Sequence, residues 1–347
     1  MVSISVVVPI YNAIRTLPSH LGAIARLNPM PLEILLVDNG STDGTLALLH
    51  DFTRDHSSFG MKVLEEPRRG AAAARNAGFQ AAKGDVIAFI DSDCAPEPTW
   101  LSHISEPLRD PRVGAVAGRV VAAPPASIME LFSALYTLQL PDRPARSRRW
   151  TPWEGGYVTA NFAVRRSLLM GLNGIDENTV GGTGAGSDYE LCARVYAADF
   201  EIVYVPEAIV FHHHRTTLPG MVRQAFDYGE SHAYLISRKL TGGLWVDLPM
   251  RPFSWKGCPV HAWLDLASAD KKVLSVMVLA ILYGPALVLL IPYAVWLVVI
   301  TNRRAMRFGS TVTLSGSVAL AGLLLVKSFA MTAGRWWGSV KYGALCL

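Results

Sequence analysis

Asp91-Ser92-Asp93 sets two carboxylates one residue apart, directly after the apolar run Val86 to Ile90. A run of that length reads as a strand buried on both faces. In an open α/β sheet, ligands bind at the C-terminal strand ends. Carboxylates placed there can share a divalent cation and its phosphate ligands. Taken alone, the run is equally well an Asp-rich turn after a core strand. Other residues point the same way as the first reading. Asp38 closes the run Leu32 to Val37, where it can accept hydrogen bonds from a base edge, and Arg75 can sit near phosphates. His212-His213-His214 follow the run Ala208 to Phe211. In extended chain His212 and His214 share one face, and either can be a further ligand. Oxygen donors suit Mg²⁺, and mixed nitrogen and oxygen donors suit Mn²⁺. Asp188 follows the glycine-rich stretch Gly181 to Gly186 and opens a helical pattern. A carboxylate there serves either as an N-cap or as a general base.

These residues need elements to position them. Ser3 to Pro9 is rich in β-branched residues and reads as a first strand that Pro9 ends. Residues 14 to 27 carry Leu and Ile at helical spacing. The polar loop after Leu32 to Val37 leads to a helix over Leu46 to Phe52, with Ser41 or Thr42 as its N-cap. Met61 to Leu64 is a third strand. The segment from Arg69 to Lys83 is a small-residue helix running to the pivotal strand. Val113 to Val121 reads as a further strand or strand pair, and Glu201 to Val205 and Ala208 to Phe211 as strands; Ile128 to Leu140 is amphipathic, and Val158 to Val164 contains Thr159-Ala160-Asn161-Phe162. Strands alternating with helices at this spacing imply a mostly parallel sheet. Arg143, Arg146, Arg148 and Arg149 cluster beside Trp150 and Trp153 and read as a solvated charged face.

The composition narrows the classes. The 347 residues suffice for one sizeable domain and an appendage, and 51% are hydrophobic. A net charge of +4 without a dense basic stripe argues against nucleic acid and suits a membrane surface or a phosphate-rich ligand. The four cysteines lie far apart with no CxxC spacing, which argues against a disulfide framework and a zinc site and makes a reducing compartment the default. The apolar run Ile4 to Ile10 is too short for a signal peptide.

Six motifs occur in order: Val-Val-Val-Pro-Ile-Tyr-Asn (6–12), Val-Asp-Asn-Gly-Ser-Thr-Asp-Gly-Thr (37–45), Arg-Asn-Ala-Gly (75–78), Asp-Ser-Asp (91–93), Thr-Ala-Asn-Phe-Ala-Val-Arg-Arg (159–166) and Ser-Asp-Tyr-Glu-Leu (187–191). Together they resemble family 2 glycosyltransferases of the GT-A fold over roughly residues 3 to 235. The resemblance implies an α/β fold, a mostly parallel sheet flanked by helices. It implies inverting transfer of a sugar from a nucleotide-diphosphate sugar to an acceptor hydroxyl. Pro9, Tyr11 and Asp38 would surround the base. Asp91 and Asp93 match the DxD motif that binds ribose, metal and diphosphate, the metal being Mg²⁺ or Mn²⁺. Asp188 matches the catalytic base, and His212 a histidine near the metal. The family often has Glu where this chain has Ser187, so that electrostatic neighbour of the base is lost.

Lys271-Lys272 precede the apolar stretch Val273 to Ile300, which Gly284-Pro285 and Pro292 interrupt. At about 1.5 Å per residue it exceeds the ~30 Å hydrocarbon core. A basic loop, Asn302 to Arg307, separates it from a second run, Thr311 to Thr332, which contains Lys327. Trp245, Trp255, Trp263, Trp336 and Trp337 flank these runs as interface anchors do. Two simple spans and a hairpin broken at the prolines are both open. The expected organisation is a catalytic domain over 1–235, an interfacial linker over 236–270 and membrane-anchoring helices over 271–347. The catalytic domain would lie on the cytosolic side of the plasma membrane, acting on a glycan or lipid-linked acceptor in cell-envelope polysaccharide or glycolipid synthesis. The rival readings are a sugar-phosphate nucleotidyltransferase, which would want a glycine-rich basic loop where Pro9-Ile10-Tyr11-Asn12 stands, and a non-catalytic membrane scaffold that keeps the nucleotide-sugar pocket.

Overall fold

The structure is a computed structural model and describes residues 2–347 except 57–58, 138–141, 153, 181–183, 215 and 240–242. The first half of the glycine-rich stretch, the end of the Ile128 to Leu140 segment and Trp153 therefore lie outside the described residues. In chain order the elements are β1 (Ile4–Ile10), α1 (Leu17–Ile24), β2 (Glu33–Asp38), α2 (Thr45–Asp55), β3 (Met61–Glu65), α3 (Ala71–Ala81), β4 (Val86–Ile90), β5 (Cys94–Pro96), α4 (Trp100–Ser105), β6 (Val113–Ala122), α5 (Ile128–Tyr136), β7 (Ala145–Ser147), β8 (Asn161–Arg165), α6 (Arg166–Gly171), α7 (Ser187–Ala197), β9 (Glu201–His212), α8 (Leu218–Ser237), β10 (Leu244–Asp247), β11 (Phe253–Trp255), β12 (Ala262–Asp265), α9 (Ala269–Leu282), α10 (Leu290–Arg307), α11 (Leu314–Tyr342) and β13 (Leu345–Cys346). They form two compact units, Met1–Ala123 with Leu138–His213, and Pro124–Thr137 with His214–Leu347.

The first unit is built on one sheet in the order β3-β2-β1-β4-β8-β6-β9-β5, with β7 on β9. Its first half, where a helix separates each strand from the next, is parallel. Antiparallel β8, inserted between β4 and β6, makes the sheet mixed. The core obeys the two-residue period of strands. Ile4, Val6, Val8 and Ile10 pack with Ile34 and Leu36 beneath α1, α2 and α4. Val7, Leu35 and Val37 face the other way, toward α3, α6 and α7. Gly78 shows how closely α3 is seated, since a Cβ there would lie 2.4 Å from Val7 Cγ1.

Three local expectations are corrected. Pro9 does not end β1 but sits inside it, paired in register with Val37. The cap of α2 is Gly44 in the left-handed region (φ 89°), not Ser41 or Thr42. Asp43 instead accepts from the Thr45 N–H at 3.1 Å, an Asx turn that tightens the helix entry. Glu201 to Phe211 is one strand, its irregularity absorbed as a bulge opposite Gly118 and Arg119.

In the second unit α8 and α11 pack with backbones in near contact. A Cβ on Gly229 would lie 1.9 Å from the Met331 carbonyl, and one on Gly334 2.0 Å from the Phe226 carbonyl. Gly334 and Gly338 form a GxxxG stripe, which permits this approach. A small sheet, β11-β10-β12-β13, joins the same helices. β12 pairs in parallel with β13, which follows α11, and runs into α9 through Asp265, which accepts from the Ala267 and Ser268 N–H groups. Arg335 donates to Asp265 at 2.6 Å, and Asp270 accepts from the Ser268, Ser328 and Thr332 hydroxyls. The apolar stretch Val273 to Ile300 is broken, as its Gly-Pro pair foretells, by a 3₁₀ segment at Gly284–Leu289. Among the described residues, two helices, Gly284–Arg307 and Leu314–Tyr342, are long and apolar enough to cross a membrane.

Candidate active site

The strand ends of the first unit bring most of the sequence-predicted residues together. β2 delivers Asp38, buried, whose Oδ2 accepts from the Gly40 and Ser41 N–H groups at 3.0 Å each. Its Oδ1 is buried and has no partner among the described residues. Tyr11, just past β1, is half exposed, and the Arg69 guanidinium lies 4.5 Å from its ring centroid. Asn39, part of the 37–45 motif but given no role there, staples the neighbourhood. It donates to the Glu66 and Arg68 carbonyls and accepts from the Gly70 N–H, so the β3–α3 loop is fixed to the end of β2.

β4 delivers Asp91 and Asp93. The close seat of α3 buries Arg75, which donates to Asp91 Oδ1 at 2.6 Å. Arg75 Nε is buried without a partner among the described residues. Asp93 lies 3.4 Å from His212 Nε2, brought there by the antiparallel pairing of β5 with β9, in which Cys94 faces His212. Asp93, Cys94 and His212 offer ligand atoms all within 4.8 Å of one another. Burial and the two aspartates push the Cys94 thiol well up, so it stays protonated and donates to Asp93 Oδ1. The carboxylate and imidazole are therefore the ready donors, a mixed oxygen and nitrogen set that fits Mn²⁺. His214 is not part of this group. The strand ends at His212, so the alternation that would set both on one face stops there, and His214 belongs to the second unit.

Asp188 stands in the first turn of α7, whose cap is Gly186. Its carboxyl pKa is pushed up to about 6, chiefly by burial. Arg75 pulls it down and Asp91 pushes it up, which places these two charges within electrostatic reach. Glu190, one turn position on, is buried and bound on both oxygens by Arg194, which also donates to the Leu172 and Gly174 carbonyls. It is consumed by structure.

Two supports were assigned no role by the sequence reading, although Asn161 stands in the 159–166 motif. His20 is buried on α1 with Nδ1 2.5 Å from the Cys94 carbonyl, and burial lowers its pKa to about 4. The neutral ring therefore donates from Nδ1 and props the loop after Asp93. Asn161 accepts from Trp100 Nε1 and donates to the Arg119 and Ala208 carbonyls, tying β8 to β6, β9 and α4. The arginine cluster is solvent-exposed, as its surface reading implied, and three of its members are also ion-paired: Arg146 to Asp110 and Glu201, Arg148 to Glu201, Arg149 to Glu154.

Comparison with known proteins finds likenesses over the first unit and beyond. Residues 5–172 match the sequence profile described as Glycosyl transferase family 2. The chain is 33% identical over 215 residues to the pre-mycofactocin glycosyltransferase of Mycobacterium tuberculosis, covering 60% of this chain and 43% of that protein. It is 28% identical over 245 residues to the probable glycosyltransferase YdaM of Bacillus subtilis, covering 68% and 57%. The chain thus spans about half the length of these curated relatives. Among solved structures, the mannosyltransferase PcManGT of Pyrobaculum calidifontis, in complex with GDP-Man and Mn²⁺, superposes with a TM-score of 0.61 at 20% identity, covering 97% of this chain and 87% of that one. GalNAc-T7 with UDP, GalNAc and Mn²⁺ superposes with a TM-score of 0.50 at 18% identity, over 69% and 50%. These likenesses show the GT-A fold, and the profile match makes residues 5–172 a region of the kind described as glycosyl transferase family 2.

Proposed function

We propose that this chain is an inverting glycosyltransferase that moves a sugar from a nucleotide-diphosphate sugar to an acceptor hydroxyl. The observation that carries the reading is the convergence of Asp38, Arg75, Asp91, Asp93, His212 and Asp188 at one end of the sheet, two of them with unpartnered buried polar atoms. Buried polar groups are rarely left unsatisfied. Asp38 Oδ1 suits an N–H of the base, and Arg75 Nε a phosphate or ribose oxygen. Tyr11 and Pro9 would line the base. Asp93 and His212 would hold a divalent cation, Mn²⁺ or Mg²⁺, which when bound neutralises charge on the diphosphate. Asp188 takes the acceptor proton as the acceptor oxygen attacks, on the face opposite the departing nucleotide diphosphate. A base with a pKa near 6 is ionised at neutral pH yet a better proton acceptor than an ordinary aspartate. The Mn²⁺ in the complexes of the two structural neighbours supports the same reading of the cation.

The acceptor is a membrane-associated glycan or lipid-linked sugar of the cell envelope, reached from the cytosolic face of the plasma membrane. Two apolar helices in the second unit support this placement. The test is a panel of UDP-, GDP- and dTDP-sugars, scored for metal-dependent thermal stabilisation and then for inverted product with extracted lipid acceptors. Stabilisation without any transfer or donor hydrolysis would leave the scaffold reading standing instead.

A further inference from the structure

The segment from Leu248 to Val260 joins β10 to β12 by way of the edge strand β11, and its side chains are turned outward. Met250 is 99% exposed, Trp255 55% and Phe253 50%, and Leu248 and Val260 are exposed with them. Isolated exposed hydrophobes are ordinary, but five within thirteen residues form a patch that calls for a partner. β11 is an edge strand, and a short apolar edge is normally guarded from pairing by cover or by charge. Here the interleaved charges are Arg251 and Lys256, both exposed, and no Asp or Glu occurs from 248 to 264.

The place of this sheet in the second unit says what covers the patch. β12 leads within a few residues into α9, and β13 follows directly from the C-terminal end of α11. That end of α11 exposes Trp336, Trp337 and Val340, and α9 opens with Lys271 and Lys272. Aromatic residues with lysines at the end of a long apolar helix mark the depth of lipid headgroups. The β10–β11–β12 segment is tied to that level by the β12–β13 pairing, whose register is Ala262 with Leu345 and Trp263 with Cys346.

We propose that residues 248–260 are a membrane-docking wedge. Met250, Phe253 and Trp255 enter the headgroup layer, and Arg251 and Lys256 engage anionic lipid phosphates. This rests on the membrane placement given above. The wedge lies in the plane of the interface and crosses nothing, as amphipathic interfacial elements do. Its apolar residues supply contact area and its two cations make the contact favour acidic lipid.

Cys258 reports on this segment, because Cys94, Cys192 and Cys346 are buried. The full chain carrying a polarity-sensitive fluorophore on Cys258 is reconstituted into phosphatidylcholine vesicles with and without about one-third phosphatidylglycerol, and vesicle flotation is scored first. The wedge predicts blue-shifted emission, quenched more by shallow than by deep spin-labelled lipid and more strongly with phosphatidylglycerol present. The pair R251Q and K256Q should remove the phosphatidylglycerol dependence, and the pair F253S and W255S the blue shift. Water-like emission from a chain that floats overturns the wedge and leaves the anchor reading intact. Blue-shifted emission that no spin-labelled lipid quenches also overturns it, since protein rather than lipid then covers the segment. A chain that does not float overturns both.

Discussion

Arg75 and Asp91 are joined at 2.6 Å, and they act on Asp188 with opposite sign, the guanidinium lowering its pKa and the carboxylate raising it. The pair is thus both a strut for the end of β4 and a two-sided control on the proposed base. Asp91→Asn removes a negative neighbour, so the acid limb of the pH–rate profile should move to lower pH. Arg75→Met removes a positive one, so the limb should move to higher pH. It should also cost a few kcal/mol of stability, at the low end for a broken ion pair because Asp91 is partly exposed. A profile that shifts the same way in both variants rules out Asp188 as the group titrating in that limb.

Asp188 and Glu190 should separate cleanly. Asp188→Asn keeps the shape and removes the basicity, so turnover should fall by about 10²–10⁴ with donor affinity nearly intact. Its stability effect has a definite sign. The folded pKa of about 6 exceeds the ordinary 3.8, so the folded chain holds this proton more tightly, and stability falls as pH rises between those values. Without donor, Asp188→Asn should therefore be more stable than the parent at pH 7, by up to about 3 kcal/mol, and no different below about pH 4. Glu190→Gln breaks a buried pair with Arg194 and should instead lower the melting temperature, with a smaller loss of turnover. Calorimetry across pH with single-turnover kinetics reads all of these effects.

Asp93→Asn should weaken donor binding and make it insensitive to Mn²⁺ or Mg²⁺ while the melting temperature without ligand stays close to the parent's. His212→Ala should act in the same direction. Titration calorimetry with a nucleotide diphosphate, with and without metal, gives the comparison. Unchanged metal dependence in Asp93→Asn would remove the strand-end carboxylate from the site.

Gly334→Val places a branched side chain where a Cβ alone would meet the Phe226 carbonyl at 2.0 Å. The helices cannot separate locally without uncovering the rest of their shared face, so a loss of about 3 kcal/mol or more is expected, beyond the usual cost of overpacking. Thermal unfolding in detergent should show it. Gly322→Val, on the same helix with open space around it, should be nearly neutral by comparison.

The catalytic unit was largely legible because its signals are local. An unbroken apolar strand announces its buried position, and the polar residue that ends it, Asp38 or Asp91, announces the strand end. What stayed hidden depends on partners distant in sequence. Nothing in Leu-Pro-Ser-His-Leu says that His20 will meet the Cys94 carbonyl, and the 159–166 motif marks Asn161 without saying that Trp100, Arg119 and Ala208 surround it. His214 was expected beside His212 because a repeat of two residues was carried past the point where the strand stops. The seating of α8 on α11 was invisible for a related reason, since small residues mark only that something comes close, not what.

The pairing of β12 with β13 has a topological consequence. Two strands hydrogen-bonded in one sheet lie in the same aqueous compartment, so the chain between Asp265 and Leu345 must return to the side it left. The number of bilayer crossings in that interval is therefore even, whatever path α9, α10 and α11 take. A single-pass anchor is excluded by parity alone. If Gly284–Arg307 and Leu314–Tyr342 are the two crossings, tags at the α10–α11 turn and after β13 report opposite sides; a hairpin within Val273 to Ile300, or no crossing, puts both tags on the same side.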